Sequence, residues 1–282
     1  MLIQFFVTFI LLFEVRGDPG PFIPESFERN SIGVRIRGGE EAPPDIYHFV
    51  VSVMDKGHHR CGGTIISKSV ILTAAHCLDD THPWDFSVRV GSLKMDSGGN
   101  VYRVVNYVRP REYHTDRFST KYDVALLKLE SPLPTDGKIK PVKLYWPKEE
   151  VAAEGTIVTS VGWGLTWSPE DNLKTLRYVH FPLLSSNRCA YHLRNYLGLI
   201  GQLCAWSPGK AACRGDSGGP LLLGDRQIGI ASVALDCPGG SLPTIYTDVT
   251  FFRDWIERNL WHLAGEVVNE WDVKSAIYFP ES

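Results

Sequence analysis

A serine in a glycine-rich turn lies late in the chain, within the segment Gly-Asp-Ser-Gly-Gly-Pro at residues 215–220. Its small neighbours leave the hydroxyl of Ser217 accessible and allow backbone N–H groups to converge on one small space beside it. A nucleophile next to such donors is what acyl transfer requires. A turn of this composition, taken alone, is more often only a tight turn. Other residues must therefore decide whether Ser217 has a chemical role.

Two further motifs supply the side chains that a serine nucleophile needs. His76 lies in Leu-Thr-Ala-Ala-His-Cys (residues 72–77), and Asp123 lies in Tyr-Asp-Val-Ala-Leu-Leu (residues 122–127). A histidine accepts the serine proton as general base, and a carboxylate holds the imidazole in the required tautomer. The order along the chain is His, Asp, Ser, whereas hydrolases with a Gly-x-Ser-x-Gly elbow have the order Ser, Asp, His.

The elements that must position these residues are predicted to be β-strands. From about residue 49 to residue 249, short segments rich in Val and Ile alternate with turn residues, for example at 48–53, 86–90 and 227–233. This pattern is typical of an all-β barrel or sandwich, and it lacks the alternating helices of an α/β hydrolase. Helical spacing occurs near the end, at Phe252, Trp255, Ile256 and Leu260, which predicts a helix that packs one face on the strands.

Length and composition indicate a folded protein that does not bind nucleic acid. The chain has 282 residues, of which 44% are hydrophobic, so it can bury a large core in one or two domains. The formal net charge is −3, and a protein with this charge lacks the basic field that nucleic acid requires. No cofactor is indicated.

The cysteines and the N-terminal segment both indicate an extracellular protein. Six cysteines without a Cys-x-x-Cys pair favour disulfides over zinc, although the sequence alone leaves their pairing open. Residues 2–13 form an apolar run too short to span a bilayer comfortably, which predicts a secretory signal at residues 1–17. A retained anchor is the alternative, because no Lys or Arg precedes the run. We expect secretion, without membrane attachment once the signal is removed.

Taken together, the motifs around His76, Asp123 and Ser217 resemble those of the chymotrypsin–trypsin family of secreted serine proteases. The resemblance covers roughly residues 36–262. It implies two six-stranded antiparallel β-barrels with the active site between them and a C-terminal helix, with His76 and Asp123 on the first barrel and Ser217 on the second. It also implies that the backbone N–H groups of Gly215 and Ser217 form the oxyanion hole. Three other histidines lack the motif context and are expected at the surface, namely His58, His59 and His82.

The resemblance further implies activation by proteolysis. Residues 18–35 would form a propeptide that is removed by a cut after Arg35. The new ammonium group of Ile36 would then pair with the buried carboxylate of Asp216 and order the oxyanion hole. Arg37 departs from the family, which usually has Val there, and it offers a second basic site to a trypsin-like activator.

Disulfide pairing, metal content and the chain end follow from the same resemblance. The implied disulfides are Cys61–Cys77, Cys189–Cys204 and Cys213–Cys237. Some relatives bind calcium in the segment at 91–100, but Asp96 is its only carboxylate here, so no metal site is predicted. The protease domain would span residues 36–262. The extension at 263–282 contains several large apolar residues, and it is expected to pack on the barrel surface, with docking or self-association as the alternative.

The substrate pocket that the resemblance implies is narrow and uncharged. Its expected lining residues are Ala211, Ala212, Ser232, Val233, Ala234 and Thr244. Ala211 stands at the base, where trypsin-like members have an aspartate that attracts Lys or Arg. Ala234 and Thr244 add bulk where open pockets have glycine, as in elastase-like members. We therefore expect cleavage after Ala, Val or Leu, with chymotrypsin-like cleavage after Phe or Tyr as the alternative.

The sequence thus predicts a secreted serine endopeptidase whose partners are protein or peptide substrates, an activating protease and protein inhibitors. A function of another class stays open, namely a homologue that keeps the fold but binds other proteins instead of cutting them. Arg37, Val233 and the extension at 263–282 keep this alternative open. The presence of all three catalytic side chains and of Gly215 favours the enzyme.

Overall fold

A computed structural model of the protein describes residues 39–116, 119–134, 139–146, 152–164, 174–194, 199–237 and 239–264. The predicted signal, the propeptide, Arg35, Ile36 and the extension beyond residue 264 lie outside the described residues. Across those ranges, no helix is long and apolar enough to cross a membrane.

Strands dominate the described chain. In the N-terminal half they are β1 (Glu40–Glu41), β2 (Val50–Asp55), β3 (His58–Ile65), β4 (Val70–Thr73), β5 (Phe86–Val90), β6 (Asn100–Val108), β7 (His114–Thr115), β8 (Thr120–Lys121) and β9 (Ala125–Leu129). In the C-terminal half they are β10 (Lys143–Leu144), β11 (Ile157–Gly162), β12 (Arg177–Leu184), β13 (Gln202–Ala205), β14 (Pro220–Leu223), β15 (Arg226–Ala234) and β16 (Thr244–Asp248). The α-helices are α1 (Ser186–His192) and α2 (Arg253–Ala264), and two short 3₁₀ helices cover Ala75–Leu78 and Pro83–Asp85.

The first barrel closes in the strand order β2-β3-β4-β9-β6-β5, and all of its pairs are antiparallel. Strand β5 shows how the sequence produces it, because Phe86, Val88 and Val90 are buried while the residues between them are partly exposed. Side chains alternate between the two faces of a strand, so this spacing fills the barrel interior with apolar groups.

The second barrel uses β11, β12, β13, β16, β15 and β14, and it closes through the pairing of β12 with β13. Arg177, Val179, Phe181 and Leu183 alternate toward the buried side of β12. Strands β1 and β10 extend the sheet at its margins, the latter in parallel with β15. Helix α2 follows this barrel and buries Ile256 and Leu260 against the core.

These features confirm the predicted fold of two six-stranded antiparallel barrels with a C-terminal helix. The strand expected at residues 48–53 begins two residues later, at Val50. The N–H of Val50 donates to the carbonyl oxygen of Tyr47 at 2.9 Å, which closes a turn before the ladder starts. An apolar pattern continues through such a turn, whereas strand hydrogen bonding does not.

Three disulfides join the six cysteines: Cys61–Cys77, Cys189–Cys204 and Cys213–Cys237. The first connects β3 to the short helix that contains His76. The third connects the segment before Ser217 to the segment that follows β15.

Candidate active site

His76 and Asp123 form a close pair on the first barrel. His76 lies in the 3₁₀ helix after β4, and Asp123 lies in the turn just before β9, so the pairing of β4 with β9 brings them together. His76 Nδ1 lies 2.8 Å from Asp123 Oδ2, and the backbone N–H of His76 donates to Asp123 Oδ1 at 2.9 Å. A carboxylate that binds both the ring and the backbone holds the imidazole in one orientation, with Nε2 directed away from Asp123.

The second barrel holds Asp123 from the other side. Ser232 Oγ, on β15, donates to Asp123 Oδ2 at 2.5 Å, and Thr247 Oγ1, on β16, donates to the carbonyl oxygen of Asp123 at 2.8 Å. Ser232 was expected only in the pocket wall, and Thr247 was not among the predicted site residues. Each is more than 100 residues from Asp123 along the chain, so no local motif could reveal the contact.

Electrostatics favour the ionised form of both partners. Burial would lower the pKa of His76, but the charge and hydrogen bond of Asp123, assisted by Asp79, outweigh it and raise that pKa. Burial would raise the pKa of Asp123, but the charge of His76 and the hydrogen bonds from His76 and Ser232 outweigh it, so that pKa is lowered. The pair therefore stabilises an imidazolium beside a carboxylate, which is the charge state that proton uptake from a serine produces.

The loop that contains Ser217 packs against the segment leading into His76. The carbonyl oxygen of Ser217 accepts from the N–H of Gly62 at 2.7 Å. The N–H of Gly218 donates to the carbonyl oxygen of Ala231, also at 2.7 Å. Gly218 has a φ of +79°, and a Cβ there would collide with Oγ1 of Thr73 and the carbonyl oxygen of Gly62. Only glycine permits this close approach between the two barrels.

Two backbone N–H groups, those of Gly215 and Ser217, have no acceptor in the part of the chain that the structure describes. Gly215 has a φ of +100°, a backbone conformation that residues with a Cβ rarely adopt. Unpaired N–H groups are rare in folded proteins, and a pair of them next to a serine is suited to binding an oxyanion.

The hydroxyl of Ser217 makes no hydrogen bond to His76 within the described part of the chain. Such contacts are often long before substrate binds, so the geometry does not argue against a nucleophile and base at these positions.

His59 corrects one expectation from the sequence. It was predicted at the surface, but it is only partly exposed: its Nε2 donates to the carbonyl oxygen of Gly215 at 3.1 Å, and its Nδ1 lies 2.8 Å from Ser52 Oγ. Burial lowers the pKa of His59 despite the bond to Gly215, which favours the neutral ring. The peptide that contains the Gly215 carbonyl is thereby anchored to the first barrel. His58 and His82 are exposed, as expected.

Asp216 is a buried carboxylate that accepts hydrogen bonds from two backbone N–H groups. It is 2% exposed, and its oxygens accept from the N–H groups of Gly164 and Cys213, both at 2.7 Å. Burial raises the pKa of Asp216 to about 6. Throughout the described ranges, no Lys, Arg or His side chain forms an ion pair with it. Burying a charge without a counter-ion is unfavourable, so this position is suited to a cation.

The residues expected to line the pocket are Ala211, Ala212, Ser232, Val233, Ala234 and Thr244. Ala211, Ala212 and Thr244 are buried, and Val233 and Ala234 are partly exposed. Ala234 pairs directly with Thr244 across β15 and β16, and the register shifts between Ala231 and Val233, where Ser232 bulges toward Asp123. Because of this bulge, β15 both donates a hydrogen bond to the carboxylate of Asp123 and contributes residues to the expected pocket wall.

Metal binding has little support in this region. In the described chain, the one cluster with three metal-binding atoms in mutual reach is Cys61, His76 and Cys77. Its two sulfur atoms belong to one disulfide and are not thiolates, so they are poor metal ligands.

Comparisons with known proteins agree with this geometry. The family model described as Trypsin matches residues 36–256. Trypsin epsilon of Drosophila erecta is 37% identical over 227 residues, covering 79% of this chain and 87% of its own. Hypodermin-B of Hypoderma lineatum is 36% identical over 244 residues, covering 86% and 91%. The solved structure of neuropsin, described as a serine protease expressed in the limbic system of mouse brain, is 28% identical and superposes with a TM-score of 0.69, covering 79% of this chain and 98% of its own. The chain therefore belongs to the trypsin family of serine endopeptidases.

Proposed function

We propose that this protein is a secreted endopeptidase in which Ser217 is the nucleophile, His76 the general base and Asp123 the orienting carboxylate. The observation that carries the proposal is the buried Asp123, bonded to both the ring and the backbone of His76 beside the Ser217 loop. Secretion rests on the apolar run at residues 2–13 and on the three disulfides.

The geometry supports a two-step acyl transfer. Ser217 Oγ attacks the carbonyl carbon of the scissile peptide while His76 Nε2 takes its proton, and the carbonyl oxygen becomes an oxyanion bound by the N–H groups of Gly215 and Ser217. His76 then protonates the leaving amine as the C–N bond breaks, which leaves an acyl-enzyme. Water, deprotonated by His76, attacks the ester carbonyl, and the proton returns to Ser217 as the acid leaves.

Activation by a cut after Arg35 is the second part of the proposal. Within the described ranges, Asp216 is buried with backbone donors and no ion-pair partner, and the new ammonium of Ile36 would supply its counter-ion. The family match begins at Ile36, in agreement with this boundary. Pairing would remove the cost of the buried charge and hold the 215–217 segment in the conformation that binds an oxyanion.

Replacing Arg35 should prevent activation. In an Arg35→Gln variant treated with a trypsin-like protease, we expect activity roughly 1,000-fold below that of the treated wild type, because several kcal/mol of ion pairing would be missing. Turnover of a peptide substrate and N-terminal sequencing measure this. Arg37→Gln is the matched control, since it keeps Arg35 and should still produce an Ile36 terminus. Full activity of treated Arg35→Gln would show that another terminus suffices.

We further propose a preference for small or medium aliphatic residues before the scissile bond. Several relatives are named trypsins, yet Ala211 stands at the proposed pocket base instead of an aspartate. The directly opposed Ala234 and Thr244 support a pocket too narrow for a large ring.

Replacing Ala234 and Thr244 with glycine should widen the proposed pocket. The double variant Ala234→Gly, Thr244→Gly should increase kcat/KM for substrates with Phe relative to those with Ala by about 10–200-fold, the range that methylene-scale changes in a pocket produce. A matched series of peptides differing at that one residue measures the ratio. The control is Ala152→Gly, which should leave the ratio unchanged, because Ala152 packs against the core of the second barrel outside the proposed pocket. An unchanged ratio in the double variant would remove these residues from the pocket wall.

The proposal as a whole is tested on protein cut after Arg35, with the Ile36 terminus confirmed by sequencing. A fluorophosphonate label should react with it, and a peptide library should show cuts after Ala, Val or Leu. Labelling with cuts after Phe or Tyr would replace the elastase-like preference by the chymotrypsin-like one. Cuts after Lys or Arg would overturn the pocket assignment alone. Failure to label would favour the homologue that binds without cutting.

A further inference from the structure

The short helix that contains His76 ends in a cluster of charged and aromatic side chains that acyl transfer does not itself require. Asp79 follows this helix, and its backbone N–H donates to the carbonyl oxygen of His76 at 3.4 Å. Its carboxylate accepts from Arg109 Nη1 at 2.6 Å through Oδ1 and from Tyr113 Oη at 2.8 Å through Oδ2. Both oxygens are therefore held by residues that follow β6.

Arg109 connects this cluster to the short helix that contains His76. Besides Asp79, its Nη1 reaches the carbonyl oxygen of Ala75, one residue before His76, at 3.4 Å. Its guanidinium also lies over the ring of Tyr113, 4.9 Å from the centroid. Burial and the hydrogen bond to Asp79 raise the pKa of Tyr113, so Tyr113 remains a neutral donor.

A second arginine approaches from the first barrel. Arg60, on β3, donates to the carbonyl oxygen of Asp79 and to the carboxylate of Asp55, both at 2.9 Å. Arg60 thus supports the backbone of Asp79, while Arg109 and Tyr113 hold its side chain. The Asp79–Arg109 pair is about one-third exposed, so its contribution to stability is small. Its consequence is geometric, because it restrains the turn that follows the helix.

The cluster also places charges of both signs near the His76 ring. In the described chain, the groups that act on the ring are Asp123 from the turn before β9, Asp79 from the residues that follow the helix, and Arg60 from β3. Arg109 and Tyr113, from the segment after β6, contact Asp79 instead. Asp79 favours the imidazolium and Arg60 opposes it. The two residues therefore act on His76 in opposite directions.

We propose that Asp79 is a positioning residue for His76: its carboxylate, held by Arg109 and Tyr113, restrains the helix that contains His76 and supplies a second negative charge to the ring. This inference rests on the proposed role of His76 as general base. Asp79 touches neither substrate nor reacting atoms, and it acts through the orientation and proton affinity of the imidazole.

The negative charge of Asp79 predicts the direction in which the pKa of His76 changes when that charge is removed. In activated protein, Asp79→Asn should lower the pKa of His76 by roughly 0.5–1 pH unit, so the acidic limb of the kcat/KM profile moves to lower pH. Arg60→Gln should move the limb the other way, because a cation that opposes the imidazolium is removed. Low ionic strength is used, since salt screens partly exposed charges. A purely structural role would lower kcat in both variants without shifting the acidic limb of the profile in either of them. That result would overturn the proposal.

The matched control is Asp80→Asn. Asp80 is the next residue and is exposed, and its φ of +59° is one that asparagine also adopts. This variant makes the same chemical change in the same turn, and it should leave the pH profile in place. A shift equal to that of Asp79→Asn would mean that any nearby charge suffices, which contradicts a specific role. Arg60→Lys keeps the charge and should restore the wild-type limb.

A readout that does not need turnover separates this inference from the proposed function. The pKa of the His76 ring is measured by NMR titration in the Ser217→Ala background, with and without Asp79→Asn. A lowered pKa would support the role of Asp79 even if the wild type failed to cut peptides. An unchanged pKa in a folded variant would refute the role of Asp79, even with the catalytic assignment intact.

Discussion

Replacing Ser217 with alanine should abolish peptide hydrolysis and fluorophosphonate labelling. The expected fall in kcat is on the order of a million-fold, because the acyl-enzyme can no longer form and only substrate binding and the oxyanion donors remain. KM should change little, since the hydroxyl contributes little to ground-state binding. Ser217 is held mainly through its backbone, by the contact of its carbonyl oxygen with Gly62, so the variant should fold normally. Burst kinetics and mass spectrometry of the labelled protein measure the loss.

The control for this experiment is Ser131→Ala, which makes the same change at an exposed serine. It should keep full labelling and turnover. Substantial activity in activated, folded Ser217→Ala would mean that another residue is the nucleophile. The mass of the labelled peptide in wild-type protein would then identify that residue.

Replacing Asp123 with asparagine should reduce kcat by about 10⁴-fold, the loss associated with a wrong imidazole tautomer. In the structure, Oδ1 accepts the backbone N–H of His76, while Oδ2 faces His76 Nδ1 and the hydroxyl of Ser232. Asparagine would keep its oxygen on the backbone N–H and turn its NH₂ toward Nδ1. His76 would then carry its proton on Nε2 and could not accept one from Ser217. ¹⁵N NMR of the ring, together with kcat, measures both effects.

Asp225→Asn is the matched control, because Asp225 lies in an exposed turn of the second barrel. Its kcat and its His76 spectrum should equal those of the wild type. Retained activity in Asp123→Asn with the wild-type tautomer would remove the carboxylate from the mechanism. Ser232→Ala should be far milder, since Asp123 keeps both of its bonds to His76.

Local patterns in the sequence were sufficient to predict the strand-rich fold and the final helix. The alternation in Phe86–Val90 and the spacing of Ile256 and Leu260 reflect which face of each element is apolar, and burial follows that face. The pairing of β12 with β13, which closes the second barrel, leaves no such trace. Closure depends on the twist and stagger of all six strands and not on the composition of any one.

In the candidate site, too, local motifs predicted some residues, while contacts between distant segments were not predictable. His76, Asp123 and Ser217 were selected from their immediate neighbours, because each lies in a short motif that serves its own side chain. The contact of Ser232 with Asp123 was not predicted, and His59 was wrongly expected at the surface. Their partners, Asp123 and the carbonyl of Gly215, are 109 and 156 residues away in sequence. A hydrogen bond over such a separation exists only after two barrels have packed together.

The sequence by itself determined the chemical groups available to this protein, their order along the chain, and the uncharged residue at the proposed pocket base. These are properties of residues and of short segments. Only the tertiary structure decided that Asp123 is shared by His76 and Ser232, that Asp216 is buried among backbone donors, and that Asp79 is held against the helix of His76. Distances, exposure and pKa shifts depend on which surfaces lose water when the barrels close, and that is a property of the whole fold.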